Sequence, residues 1–259
     1  MTTPGGLRVR AIGSSPSVQR PGRACSSYLV RTREASVLLD IGSGAVGNLQ
    51  LAIEYPALDA IVVSHMHADH FLDVIPLRYG LTYGPLSRDA RMPLWLPPGG
   101  AQTLRRLCRA FTGEGQKDFL DAVFVVGEYD PAATLQVNDL RLTFRPALHY
   151  VESYSIRAEC GAASVTYSGD TAPCDSVVEH ARDCALFVCE ATLGFGTEDE
   201  PRGHSSAAEA GEMARRAGVG QLALTHYYAA DDAQALVDAA RATFSGPVSA
   251  IDDGAEFTL

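Results

Sequence analysis

The apolar run Ala60-Ile61-Val62-Val63-Ser64 leads directly into His65-Met66-His67-Ala68-Asp69-His70, so three histidines and one aspartate fall within six residues. A buried strand that opens onto so dense a set of imidazole and carboxylate donors constrains the fold, because the rest of the chain must complete the ligand set at that strand's end. Side chains two apart in an extended or looping backbone project to one side, so His65 and His67 can share one ion. Asp69 and His70 follow as the chain turns towards a helix and can face a second ion. A lone histidine is usually structural, but neither a solvated loop nor a packed core calls for this density.

The chain has seven histidines, at 65, 67, 70, 149, 180, 204 and 226. Six of them stand at, or just beyond, a predicted strand end. His149 follows the strand predicted at Leu140–Pro146, His226 follows Leu222–Thr225, and Asp170 follows Ser164–Ser168 through Gly169. The strand ends of one sheet share an edge, so these residues are expected to converge on the first cluster. His180, within Val177–Arg182, fits an exposed helix position and is expected to be structural.

Further short β-rich runs lie between turn signals at Leu7–Ile12, Ser27–Val30, Val37–Ile41, Ala60–Ser64, Leu94–Leu96, Val123–Val126, Tyr154–Ala158, Leu186–Cys189 and Val248–Ile251. Helical stretches are expected at Asn48–Glu54, Phe71–Tyr79, Ala101–Ala110, Asp175–Ala181, Ser206–Ala217 and Asp232–Phe244. The mixture predicts an α/β or α+β fold, with residues 1–259 forming one domain because the motifs spread from 65 to 226. Ser206 and Glu209 make an S-x-x-E capping box and Gly218 closes that helix, which leaves His204 just outside a helix N-terminus, where an anion is favoured. The loop Thr112–Lys117 is expected to be the flexible joint.

A formal charge of −10 with a single lysine, Lys117, does not advertise broad attraction to nucleic acid. A bound metal pair would add about four positive charges locally, so phosphate binding at the cluster stays compatible with the acidic chain. Cys25, Cys108, Cys160, Cys174, Cys184 and Cys189 form no C-x-x-C pair, and Cys184 and Cys189 lie in an apolar run as expected of buried free thiols. That fits a reducing compartment. The N-terminal MTTPGGLRVRAIGSS has no apolar stretch of signal-peptide length and no segment approaches a membrane span, so a cytoplasmic protein is expected.

Together, H-x-H-x-D-H at 65–70, then His149, then Asp170 after Ser168-Gly169, then His226 after Leu224-Thr225 resemble the metallo-β-lactamase superfamily over nearly the whole chain. The resemblance implies a four-layer αββα sandwich with the site along one edge of its two sheets. It makes His65, His67 and His149 the ligands of one divalent ion, Asp69, His70 and His226 those of another, and Asp170 the bridge. Zinc is the first expectation for this nitrogen and oxygen set, and manganese suits it too. Asp40, in Leu38-Leu39-Asp40-Ile41-Gly42, is expected to steady the metal loop rather than to ligate.

Glu190 in Cys189-Glu190-Ala191-Thr192 and His204 in Gly203-His204-Ser205-Ser206-Ala207 resemble ribonuclease Z and its phosphodiesterase relatives. The resemblance implies that His204 contacts the phosphate or protonates the leaving oxygen and that Glu190 orients it. An imidazole held by a carboxylate has its tautomer fixed and its protonated form favoured. Asp69 is suited to orient or deprotonate the nucleophile. The competing explanation makes Glu190 a surface acid and His204 a helix-entry residue. Only twenty residues separate His149 from Asp170, where the tRNA-processing enzymes generally carry a long arm.

The expected activity is therefore hydrolysis of a small or cyclic-nucleotide phosphodiester at a dinuclear centre with a bridging hydroxide. A tRNA 3′-processing nuclease, an ester, lactone or thioester hydrolase on the same metals, and a non-catalytic binding module are the alternatives; family analogy also implies a homodimer. Tyr79, Tyr83 and Trp95 are expected in the pocket wall, either stacking a nucleobase or packing the core. Arg105, Arg106 and Arg109 read as a solvated helix face.

Overall fold

Strands that are apolar at every position, such as Val37-Leu38-Leu39, must be covered on both faces, and two such sheets stacked together leave two outer faces for helices. The computed structural model, which describes residues 6–86, 88–112, 119–228 and 230–259, has this layout. Numbered in chain order, β1 (Arg8–Gly13), β2 (Ser27–Arg31), β3 (Ser36–Leu39), β4 (Ala60–Val62), β5 (Met92–Leu96) and β6 (Phe124–Glu128) form one sheet, with the last strand, β14 (Glu256–Thr258), beside β1. The other sheet runs β7 (Leu135–Val137), β8 (Leu140–Pro146), β9 (Tyr154–Cys160), β10 (Ala163–Tyr167), β11 (Leu186–Glu190), β12 (Leu222–Thr225), β13 (Val248–Ala250).

Each sheet begins antiparallel and ends parallel: β3 to β6 pair in parallel, as do β10 to β13. A parallel pair needs a crossover, and helices supply it. α1 (Ala45–Leu49) lies between β3 and β4, α2 (Ala68–Phe71) and α3 (Val74–Tyr83) follow β4, and α4 (Gly100–Thr112) follows β5. In the second sheet α5 (Asp175–His180), α6 (Ala207–Ala217) and α7 (Ala233–Arg241) make the crossovers.

Alternate residues of one strand serve different cores. Val37 and Leu39 enter the central layer with Phe144, Ile156 and Val188, while Leu38 faces the outer core of Leu49, Val74 and Leu104. Phe187 and Cys189 meet Val177, Met213 and Leu236 on the opposite outer face. The expected four-layer αββα sandwich is what forms. All six thiols are free, and Cys184 and Cys189 are fully buried. No helix among the described residues is long and apolar enough to cross a membrane.

Departures from expectation have local causes. β7 and β14 were not foreseen, because each is a three-residue, half-exposed strand without an apolar run. The stretch expected as one helix over Phe71–Tyr79 is two, because Pro76 has no N–H to give to Leu72 and sits instead in the first turn of α3. α1 starts at Ala45, three residues before the expected Asn48. The α6 capping box forms as expected, with Ser206 and Glu209 bonded reciprocally. α4 continues to Thr112, and the remainder of the expected joint, 113–117, lies outside the described residues.

His180 is structural, as expected, but buried rather than exposed. At the end of α5 its Nδ1 is 2.7 Å from Ser155 Oγ and its Nε2 3.0 Å from Thr143 Oγ1, so the ring stitches the helix to β8 and β9. Burial, aided by Arg145 and Arg157, pushes its pKa down to about 3. The unfolded chain binds this proton near pH 6.5. Between those values the unfolded state holds more protons, so the stability due to a neutral His180 is complete above about pH 6.5 and lost as pH falls towards 3. Thermal midpoints measured across that window should fall less steeply for His180→Gln than for the native chain; parallel curves would remove His180 from the acid response.

Candidate metal centre

The parallel strands deliver their C-terminal ends to one edge, and the chemistry-bearing residues follow those ends. His65 lies three residues beyond β4 and bridges to Ser153, which ties the metal loop to the second sheet. Asp170 follows β10 through Gly169, whose φ is 61° and where a Cβ would come within 2.9 Å of the Tyr154 carbonyl. That turn needs glycine, and it sets the Asp170 carboxylate into the edge. His226, just past β12, itself holds a left-handed backbone at φ 58°. His149 comes from the connection between β8 and β9.

Two four-residue groups result. His65, His67, His149 and Asp170 form one, and Asp69, His70, Asp170 and His226 the other; in each, the donor atoms lie within 4.8 Å of one another. His149 Nε2 is 3.0 Å from His67 Nδ1, and His65 Nε2 is 3.8 Å from Asp170 Oδ2. In the second group Asp170 Oδ1 is 3.3 Å from His70 Nε2 and 3.5 Å from His226 Nε2, and Asp69 Oδ2 is 3.3 Å from His226 Nε2. Donors on a tetrahedral ion with bonds of about 2.0–2.1 Å stand about 3.3–3.4 Å apart; the second group's 3.3–3.5 Å lie close to this, and the first group's 3.0 and 3.8 Å lie on either side of it. His65 Nε2, His70 Nε2 and Asp170 Oδ1 are buried with no hydrogen-bond partner, an arrangement costly to a protein unless a cation completes it.

The outer ring nitrogens are held, which aims the inner ones. His149 Nδ1 donates to the Gly203 carbonyl at 2.7 Å, His70 Nδ1 to Asp40 Oδ2 at 2.7 Å, and His65 Nδ1 lies 3.0 Å from Ser64 Oγ. His226 Nδ1 is 2.8 Å from Thr192 Oγ1. Each contact leaves a nitrogen lone pair facing the centre. Burial and the neighbouring His70 hold His65 below its ordinary pKa, and burial lowers His67 and His149. Against burial, His226, His70 and His65 keep Asp170 well below the usual carboxylate range, and His226 and His70 do the same for Asp69. His70 goes up instead, because Asp170 and Asp40 outweigh its burial; a metal ion would displace that proton.

Glu190 and His204 also meet. His204 Nδ1 is 2.8 Å from Glu190 Oε1, and the carboxylate, fully buried, accepts N–H groups of Thr171 at 2.8 Å and Thr192 at 3.0 Å. Burial disfavours the imidazolium, but Glu190 prevails and raises His204 to about 9. Glu190, His204 and His226 are near enough to suggest a third ion. The three N–H donors already on Glu190 argue for an oriented imidazole instead.

A cleft of about 330 Å³ opens over the two groups, walled by Ser17, Ala68, Thr192, Tyr150 and Tyr228 as well as His204. The aromatic wall differs from expectation. Trp95 packs into the central core, and Tyr79 and Tyr83 stack on each other on the exposed side of α3, which buries Val74 and Leu77 and leaves these rings away from the cleft. Tyr150 and Tyr228 were missed, although each lies within two residues of an expected ligand, His149 or His226. Arg105 pairs with Asp121 rather than reaching the edge.

Residues 36–227 match the family model of the β-lactamase superfamily domain. An uncharacterized protein of Mycobacterium leprae is 34% identical over 256 residues, covering 98% of this chain and 89% of that one. The probable metallo-hydrolase YhfI of Bacillus subtilis is 26% identical over 96% of this chain and 98% of its own, and its crystal structure superposes with a TM-score of 0.88 over 98% of this chain and all of that one at 25% identity. A ribonuclease Z of Methanothermobacter thermautotrophicus is 27% identical over 95% of this chain and 94% of its own. The chain therefore belongs to the β-lactamase superfamily, as a hydrolase of the metallo-β-lactamase fold.

Proposed function

We propose that this protein hydrolyses a small phosphodiester, with His65, His67 and His149 holding one divalent ion, Asp69, His70 and His226 a second, and Asp170 shared. Zinc is the metal we assign first. The observation that carries the substrate class is the Glu190–His204 pair beside both metal groups, since an imidazole held protonated there can pair with the negative charge of a phosphodiester, a charge that a neutral ester or thioester lacks. The same imidazole can also give its proton to the leaving alkoxide.

Bound at these groups, two divalent ions would supply Lewis acidity and lower the pKa of an attacking water. Asp69, with Oδ2 3.3 Å from His226 Nε2, is placed to orient that water. His204 keeps Nδ1–H on Glu190 and presents its other nitrogen to the cleft that it lines, where it can donate to the leaving oxygen. Among the described residues no lysine or arginine lines this cleft. One phosphodiester charge can be met there by metals and His204, whereas an RNA backbone finds no further cations. The twenty-residue spacing between His149 and Asp170 also leaves no arm for tRNA. Six free thiols suit a reducing compartment, and we assign the protein to the cytoplasm.

Zinc- or manganese-loaded protein should turn over bis-p-nitrophenyl phosphate or a 2′,3′- or 3′,5′-cyclic nucleotide in preference to a tRNA precursor or a thioester. His204→Ala should lower kcat on the diester by about 10²–10⁴-fold. Thioester turnover that survives in His204→Ala, with no diester cleaved, would move the protein to carbonyl chemistry. Asp40→Asn preserves shape and suits the left-handed backbone at φ 57°, but it removes the charge that holds His70. It should weaken zinc binding about 10–100-fold in chelator competition; unchanged affinity would reduce Asp40 to a packing role.

A further inference from the structure

Resting on that proposed activity, we infer that Tyr150 and Tyr228 grip a planar aromatic group attached to the scissile phosphate, which makes the substrate a nucleoside phosphodiester rather than a base-free one. The two rings belong to opposite halves of the site. Tyr150 adjoins His149 of the first metal group, and Tyr228 is two residues beyond His226 of the second. Both line the cleft, and both keep exposed surface, 49% and 38%. Large exposed rings that line a polar site are what sequence-tolerant base stacking requires.

Both segments are anchored. Tyr150 has its centroid 4.9 Å from that of His149 and 5.7 Å from that of His204. Its ring occupies the space a side chain at 203 would need, since a Cβ on Gly203 would come within 2.5 Å of it. Its hydroxyl bonds to Glu198, whose other oxygen accepts the N–H groups of Gly203 at 2.8 Å and His204 at 3.2 Å. Glu198 thus fixes one aromatic wall and the His204 segment together. On the far side, the backbone N–H of Tyr228 bonds to Asp231 at 2.9 Å, and the N–H of Asp231 returns to the Tyr228 carbonyl at 3.1 Å. The Tyr150 ring and the Tyr228 backbone are held before ligand arrives, so less ordering entropy is lost on binding.

The cleft's charge completes the argument. With no lysine or arginine in its wall among the described residues, it offers little for a second phosphate beyond what His204 and the metal groups hold, and with two aromatic walls it offers most to an uncharged planar group. A single diester phosphate joined to a nucleobase has that distribution of charge and shape.

The test compares ligands that differ only in the base. Binding of adenosine 5′-monophosphate and ribose 5-phosphate to the zinc-loaded protein is measured by calorimetry for the native chain, Tyr150→Ala, Tyr228→Ala and Tyr150→Phe, with thermal melting to confirm folding. The native chain should prefer the nucleotide by roughly tenfold or more, each alanine variant should lose most of that preference, and the phenylalanine variant should retain it. Equal binding of the two ligands by the native chain, or a preference that survives in both alanine variants, would overturn the inference. A base preference that collapses in the alanine variants while no diester is cleaved would leave the grip standing and retire the proposed activity instead.

Discussion

One fully buried carboxylate, that of Asp40, joins everything on which the site depends. It accepts the Ser64 N–H at 2.6 Å, the Ser64 hydroxyl at 2.8 Å, His70 Nδ1 at 2.7 Å and the Tyr167 hydroxyl at 2.8 Å. Ser64 and His70 belong to the metal loop, Asp40 follows β3, and Tyr167 ends β10 of the other sheet. An unpaired buried charge would be prohibitive, so satisfying this one determines how the two sheets meet at the edge. The proposed metal ligands inherit that alignment: Ser64 passes the constraint to His65, and His70 receives it directly.

Much of this was legible in the sequence because the relevant signals are local. The density of donors at 65–70 cannot be absorbed by an ordinary core, and His149, Asp170 and His226 each follow a run with strand character. Their convergence follows from a single rule about parallel strand ends. Asp40 was legible as a supporting residue because it too stands just past an apolar strand. The capping box at Ser206 and Glu209 was equally local and formed as written.

What the sequence did not disclose depends on packing between distant segments. An apolar helix after the metal motif looks like a pocket wall, but Val74 and Leu77 turn inward to the outer core, and Tyr79 and Tyr83 go with the opposite face. Trp95 is carried into the central layer by the alternation of β5. His180 looked exposed on its own helix because the hydroxyls that receive it, Thr143 and Ser155, come from strands far away in the chain. β7 and β14 are defined by their neighbours more than by their own residues, and edge strands of three residues leave little mark on composition.

The pairing of β14 with β1 has a temporal consequence. The first sheet opens with residues made early and takes in Glu256–Thr258, which are made after every residue of the other sheet. On the ribosome, His65 through His70 emerge long before His226, and β1 keeps a bare edge until β14 has been made. A nascent fragment that stops short of His226 carries a partial chelate on an unfinished sheet.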